Sequence, residues 1–131
     1  MDKKDLQNRF KKLAVATAKL CIKQPHNLIN KIYIGQLIRC SSSAAANYRA
    51  ACRGKSKADF INKLRIVEEE LDESMFFYEM LVEFNKDFIS DFRELYKEAD
   101  ELLAITVSSI NTTIKNNQTN EIVNRNKLKQ N

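Results

Sequence analysis

Helix breakers are almost absent from this chain: its 131 residues include two glycines and one proline. A β-sandwich or barrel needs a turn every eight to twelve residues or so, and those turns draw on Gly, Pro, Asn and Asp in clusters. Here the recurring residues are Lys, Leu, Ala, Glu and Arg, which lose little freedom in a helix. The length suits one domain with one core and is too short for two.

The few breakers divide the chain. The first helix is predicted from about Lys3 to Lys23, with Leu6, Phe10, Leu13, Thr17, Leu20 and Cys21 on one face at helical spacing. Pro25 ends it within the turn Gln24-Pro25-His26-Asn27. The second helix begins between Asn27 and Ile32 and runs to about Arg53, with Ile34, Leu37, Ile38, Ala44, Ala45 and Tyr48 inward. Its middle, Ser41 to Ala46, is a run of small residues that lets a neighbouring helix come close. Gly54 stops it. Ser56 caps the third helix, with Asp59 three residues on as in a capping box. Phe60, Leu64, Val67, Leu71, Met75, Tyr78 and Leu81 carry its stripe to about Phe84. The fourth starts near Ser90, with Asp91 and Glu94 where the helix dipole favours carboxylates. Phe92, Leu95, Ala99, Leu102, Leu103, Thr106, Ile110 and Ile114 form its apolar face. Short links between long helices imply an all-α, up-down-up-down antiparallel four-helix bundle over residues 1–115. Residues 116–131 read as a polar, partly disordered tail, with Glu121 to Val123 a brief helical extension.

Several chemistries lack their residues. The one histidine, His26, sits in a turn and reads as an exposed turn residue, not as a metal ligand or a catalytic base for Cys or Ser; a di-iron site would need two Glu-x-x-His motifs. Gly35 and Gly54 are isolated and form no phosphate-binding loop. No catalytic, cofactor or metal site is therefore expected. Cys21, Cys40 and Cys52 have no framework spacing and read as small buried residues of a reducing cytoplasm. No apolar run is long enough to span a bilayer, and no signal core precedes the first helix. The acidic run from Glu68 to Glu73 wraps around the third helix and is, apart from Glu70 and Glu73, a solvated face.

A polar pattern links the two central helices. Arg39, Ser43 and Asn47 lie four apart on one helix face, and Glu70 and Glu73 share a face of the next. Folding these helices back at Gly54 sets Asn47 opposite Lys63, Ser43 opposite Val67 and Arg39 within reach of Glu70 and Glu73. Three readings stand: solvated surface charge, a partly buried seam that fixes register, or a ligand site. The register seam is the preferred one.

The net charge is +5, which suits an anionic partner. Arg9, Lys12, Lys19 and Lys23 fall on one side of the first helix, along about 20 Å. Arg49, Arg53, Lys55 and Lys57 form a second cluster at the turn between helices two and three. Both are candidate nucleic-acid contacts, against the alternative that they only keep the bundle soluble.

The segment Gln36 to Leu81 resembles the bacterial four-helix-bundle family that includes the 23S rRNA intervening-sequence proteins. The family's Arg, Ser and Asn of helix two are Arg39, Ser43 and Asn47 here. Its Ser-Lys-Ala-Asp-Phe opening of helix three is Ser56 to Phe60, and its Lys and two Glu are Lys63, Glu70 and Glu73. The chain departs at Ala44 and Ala50, where the family has Ile and Glu, and at Phe77-Tyr78, where it has Trp-Leu. The resemblance implies a homopentameric barrel with basic surfaces and no catalytic activity. It also implies a setting in rRNA insertions or beside a reverse transcriptase. Two functions follow as expectations: an oligomeric accessory protein binding RNA, DNA or a ribonucleoprotein, or a structural scaffold for protein contacts. Tyr33, Phe76, Phe77, Phe84 and Phe88 do not all fit inward stripes, which points independently to self-association.

Overall fold

The computed structural model describes residues 1–130. It is all-α, with no strand among the described residues. The helices are α1 (Lys3–Ile22), α2 (Leu28–Cys52), α3 (Lys57–Phe84) and α4 (Ile89–Gln130), with a single 3-10 turn, Lys86–Phe88, before α4. Asp2 opens α1 with a reciprocal capping box. Its carboxylate accepts from the Asp5 amide at 2.8 Å, and the Asp5 carboxylate accepts from the Asp2 amide at 3.2 Å. Asn27 caps α2, and Ser56 caps α3 by accepting from the Asp59 amide. The predicted capping box at Ser56 is half present: the hydroxyl bond forms, but no return bond from Asp59 does. The 3-10 turn supplies the entry to α4, so Ser90 lies inside the first turn instead of capping it.

Cross-helix contacts give the direction of each helix. Phe10 stacks on Tyr48 with ring centroids 4.6 Å apart, Cys40 lies 3.2 Å from Ser74, and Tyr78 meets Phe92. Each neighbour therefore runs antiparallel to the last, and α1 closes the bundle by packing on α2 and α4. The α1 stripe reads out as expected: Leu6, Phe10, Leu13, Thr17, Leu20 and Cys21 are its buried residues. On α2 the stripe is Asn30, Leu37, Cys40, Ser41, Ala44, Tyr48 and Ala51, which rotates Ile38 outward to 38% exposure. Ile38 had been assigned inward, but it lies at the edge of a stripe whose centre passes through Leu37 and Ser41.

Beyond Ile114 no side chain of α4 is buried, as the polar sequence implies, yet the backbone stays helical to Gln130. The expected frayed tail from Asn116 is thus helix over its described part; Asn131 lies outside the described residues. The reason is cooperative: adding a residue to an existing helix costs far less than nucleating one, and no Gly or Pro intervenes.

A buried pair of carboxamides joins the start of α2 to the end of α3. Asn30 is 1% exposed and Asn85 6%. Asn30 Nδ2 donates to Asn85 Oδ1 at 2.9 Å, and Asn85 Nδ2 donates back to Asn30 Oδ1 at 2.8 Å. The second hydrogen of each amide goes to a turn or helix carbonyl, Pro25 O at 2.9 Å and Leu81 O at 2.8 Å. A second buried pair, Thr17 and Tyr78, joins α1 to α3 at 2.7 Å. Removing one partner leaves a desolvated group unsatisfied, at a cost of about 1–3 kcal/mol. Asn85→Ala should therefore lower the melting temperature by several degrees, at on the order of 4 °C per kcal/mol, whereas Lys19→Ala on the exposed face should leave it unchanged. Thermal denaturation followed by circular dichroism checks the ordering.

Candidate nucleic-acid interface

The charges are segregated along the fold. Before Asp59 the only carboxylates are Asp2 and Asp5, both engaged in the α1 capping box. Lysines and arginines meanwhile punctuate α1, α2 and the turn after it. Nearly all the remaining carboxylates lie between Asp59 and Glu101, on α3 and the first half of α4. The modest net charge therefore conceals a basic α1–α2 side and an acidic α3–α4 side.

A groove runs between α1 and α2 on the basic side. Its walls are Lys4, Gln7, Asn8 and Lys11 from α1 and Arg49 and Arg53 from α2, and its floor is Ala45 and Ala46. The spacing explains it. Positions 4, 7, 8 and 11 occupy one flank of α1, and 46, 49 and 53 one flank of α2, at the three-four repeat of neighbouring helix positions. The small-residue run supplies the depth. Ser41 and Ala44 are buried, but Ser42 and Ala46 are exposed, so part of the run opens a furrow instead of seating a helix. No carboxylate lines the groove. Lys4, Lys11, Arg49 and Arg53 form no ion pair among the described residues. Their charge is uncompensated and faces solvent. Gln7 and Asn8 add neutral donors and acceptors between them.

The other candidates fall in different places. Arg9 turns away from the predicted row onto α4. Its Nε donates to Glu98 at 3.1 Å, its Nη2 pairs with Glu98 again, and Glu101 lies 3.2 Å away. The hydrogen bonds to Glu98 raise the guanidinium further above its ordinary range. Arg9 is thus a structural tie between α1 and α4, its charge already met. Lys12, Lys19 and Lys23 remain exposed, on the outward face of α1 between the groove and Arg9. Lys55 and Lys57 are exposed at the α2–α3 turn, and nearby Lys3 Nζ sits 4.9 Å above the Phe60 ring. Lys4 and Lys11, which stand apart from the two basic clusters in the sequence, join Arg49 and Arg53 only because α1 packs on α2. Their seven-residue spacing and the scarcity of acid before Asp59, where only Asp2 and Asp5 occur, are the signals the sequence offers.

The polar seam divides. Arg39 reaches across to α3 and bridges Glu73 at 2.6 Å and Glu70 at 3.3 Å, as the antiparallel register predicts. It does so at the surface, with its side chain 49% exposed. Asn47 does not cross to Lys63. Its amide donates to the Ser43 carbonyl and hydroxyl, at 2.9 and 3.0 Å within its own helix, and Lys63 extends into solvent without a polar partner. A short amide finds the carbonyl one turn below more readily than a long ammonium that water solvates well.

Burial pushes the Cys21 thiol up to about 11 and raises Cys40 as well, which keeps both protonated at neutral pH. Cys52, expected to be buried, is half-exposed; all three are free thiols. Among the described residues there is no cluster of metal-ligating side chains, and no helix is long and apolar enough to cross a membrane.

Comparison with known proteins bears on this geometry. The family model of the 23S rRNA-intervening sequence protein matches residues 3–108. A crystal structure of a protein of unknown function from the S23 ribosomal protein family of Bacteroides thetaiotaomicron VPI-5482 superposes with a TM-score of 0.70 at 26% identity. The match covers 80% of this chain and 97% of that one. No curated protein matches the chain.

An exposed ion pair contributes roughly 0.2–1 kcal/mol, so the half-exposed Arg39 bridge should matter less than the buried amides. Arg39→Ala should destabilise by about 1 kcal/mol or less, below the effect of Asn85→Ala in the same urea titration. A larger loss from Arg39→Ala would restore the seam to the role of register clamp.

Proposed function

The chain belongs to the 23S rRNA-intervening sequence protein family, and from that premise we propose a non-enzymatic, oligomeric accessory protein that binds nucleic acid, RNA above all, through the phosphodiester backbone. The observation that carries this reading is the α1–α2 groove. Lys4, Lys11, Arg49 and Arg53 line it without a carboxylate, on the side of the molecule where Asp2 and Asp5, both engaged in the α1 cap, are the sole acids. Lys12, Lys19 and Lys23 extend the positive surface across α1. Phosphate oxygens take hydrogen bonds from such groups irrespective of base, and each contact releases condensed counterions. Base-specific readout has no motif here to perform it. The acidic α3–α4 side repels a polyanion, so the encounter is oriented as well as attracted.

The experiment is an anisotropy titration on mixed-sequence RNA and duplex DNA at low and physiological salt. Changing Lys4, Lys11, Arg49 and Arg53 to Gln keeps helix propensity and removes the charge. It should weaken binding at every salt concentration and flatten the log–log salt slope by about 0.7 per lost contact on single strands and 0.9 on duplex DNA. An absence of wild-type binding at low salt would refute the reading and favour a protein scaffold.

Assembly belongs to the same proposal. Tyr33 on α2 and Phe77 and Phe84 on α3 form an aromatic cluster with centroids 6.0 Å apart, extended by Phe76 at 5.2 Å from Phe77. Phe76 and Phe84 are 52% and 54% exposed. Aromatic surface of this kind marks an interface, and the family resemblance sets the expected number of copies at five. Multi-angle light scattering at micromolar concentration should return several times the 15.2 kDa chain mass; a monodisperse monomer would overturn the assembly.

A further inference from the structure

The last four turns of α4 are helix without a bundle. From Lys115 to Gln130 every side chain is exposed, and the final partly buried residue is Ile114. At about 1.5 Å per residue this segment extends roughly 24 Å. It also lies beyond residues 3–108, the part matched by the family model. A helix with no apolar stripe and no buried side chain gains nothing from burial, so its use must lie in what it meets outside the bundle.

Its composition says what that is. Lys115, Arg125, Lys127 and Lys129 face a single carboxylate, Glu121. At about 100° per residue, Lys115, Arg125 and Lys129 fall within an arc of about 80°. Gln118 and Asn126 lie on the same face. That face offers charge for phosphates and amides for sugar and base edges, along about 21 Å from Lys115 to Lys129. A second copy of the helix is the poorer occupant. The exposed apolar residues Ile122, Val123 and Leu128 point in three directions around the helix, at about 0°, 100° and 240°, and so make no seam for a coiled coil.

We propose that residues 115–130 form a helical arm that grips the phosphodiester backbone of nucleic acid, as a contact surface separate from the α1–α2 groove. The inference rests on the nucleic-acid reading above, and adds to it a site that the family-matched portion does not contain. Because no buried side chain lies in the arm, its charges can be removed without touching the core.

The test uses the full chain with Lys115, Arg125, Lys127 and Lys129 changed to Gln. A charge-matched control changes Lys31, Lys63, Lys86 and Lys97, exposed cations outside both arm and groove. Fluorescent mixed-sequence RNA and duplex DNA are the probes. The arm variant should keep the wild-type melting temperature, bind about tenfold more weakly at low salt, and show a salt slope shallower by about two to three units. The control should alter affinity only slightly. An arm variant that binds as wild type does, while the groove variant loses affinity, overturns the arm and leaves the groove standing. Equal losses in arm variant and control reduce the effect to net charge and overturn it as well. No wild-type binding at all removes both sites together. A change in oligomer mass for the arm variant by light scattering would reassign the arm to self-association.

Discussion

Two carboxamides facing each other at one end of the bundle hold its geometry. Asn30 and Asn85 exchange hydrogen bonds in both directions and spend their remaining hydrogens on Pro25 O and Leu81 O. The pair therefore ties the turn after α1, the start of α2 and the end of α3 into one network. Apolar packing alone tolerates sliding of one helix along another, because a leucine can meet several neighbours at similar cost. A buried amide cannot slide without leaving a donor and an acceptor unpaired. Once α2 and α3 are fixed in this register, Ser74 meets Cys40, and Arg39 comes within reach of Glu70 and Glu73. The surface bridge follows from the register set beneath it.

Much of the fold was legible in the sequence, because apolar periodicity is a local signal. The α1 stripe from Leu6 to Cys21 is buried as read, and so are Leu64, Val67, Leu71, Met75, Tyr78 and Leu81 on α3. Asn30 and Asn85 were not legible. An Asn near a helix start and another after a helix end are the ordinary furniture of turns, and only the tertiary approach of two turns makes them partners. Ile38 erred for a related reason: the α2 stripe mixes Cys, Ser and Ala with Leu, so its centre is poorly marked by hydrophobicity.

The candidate site was legible by halves. Arg49 and Arg53 were visible as a cluster, and Lys4 and Lys11 were visible only as lysines. What unites them is the packing of α1 against α2 across Ala45 and Ala46. Arg9 shows the converse. On a helical wheel it belongs with Lys12, Lys19 and Lys23, but its longer, forked side chain reaches Glu98 and Glu101 on α4. Guanidinium matches carboxylate geometry where ammonium serves as a hydrated point charge, so the arginine at the helix boundary is drawn into structure and the lysines are left at the surface.

This division separates the residues that hold the bundle from those that present charge. The residues that hold the bundle are apolar stripes, two buried polar pairs and the Arg9 tie. The residues that present charge are Lys4, Lys11, Lys12, Lys19, Lys23, Arg49 and Arg53, and those of the arm; all are exposed. Substitution on such a surface costs the fold within about 0.5 kcal/mol, so its charge pattern can be retuned without rebuilding the core. Placing the carboxylates between Asp59 and Glu101 has the opposite consequence, since that acid is built into α3 and α4, the helices that carry half of the core. The field of the molecule is therefore polarised from α3 and α4 toward α1 and α2, and charges far from the groove contribute to it. The groove and the field around it are set by surface side chains, and the interior that positions both contributes no charge of its own.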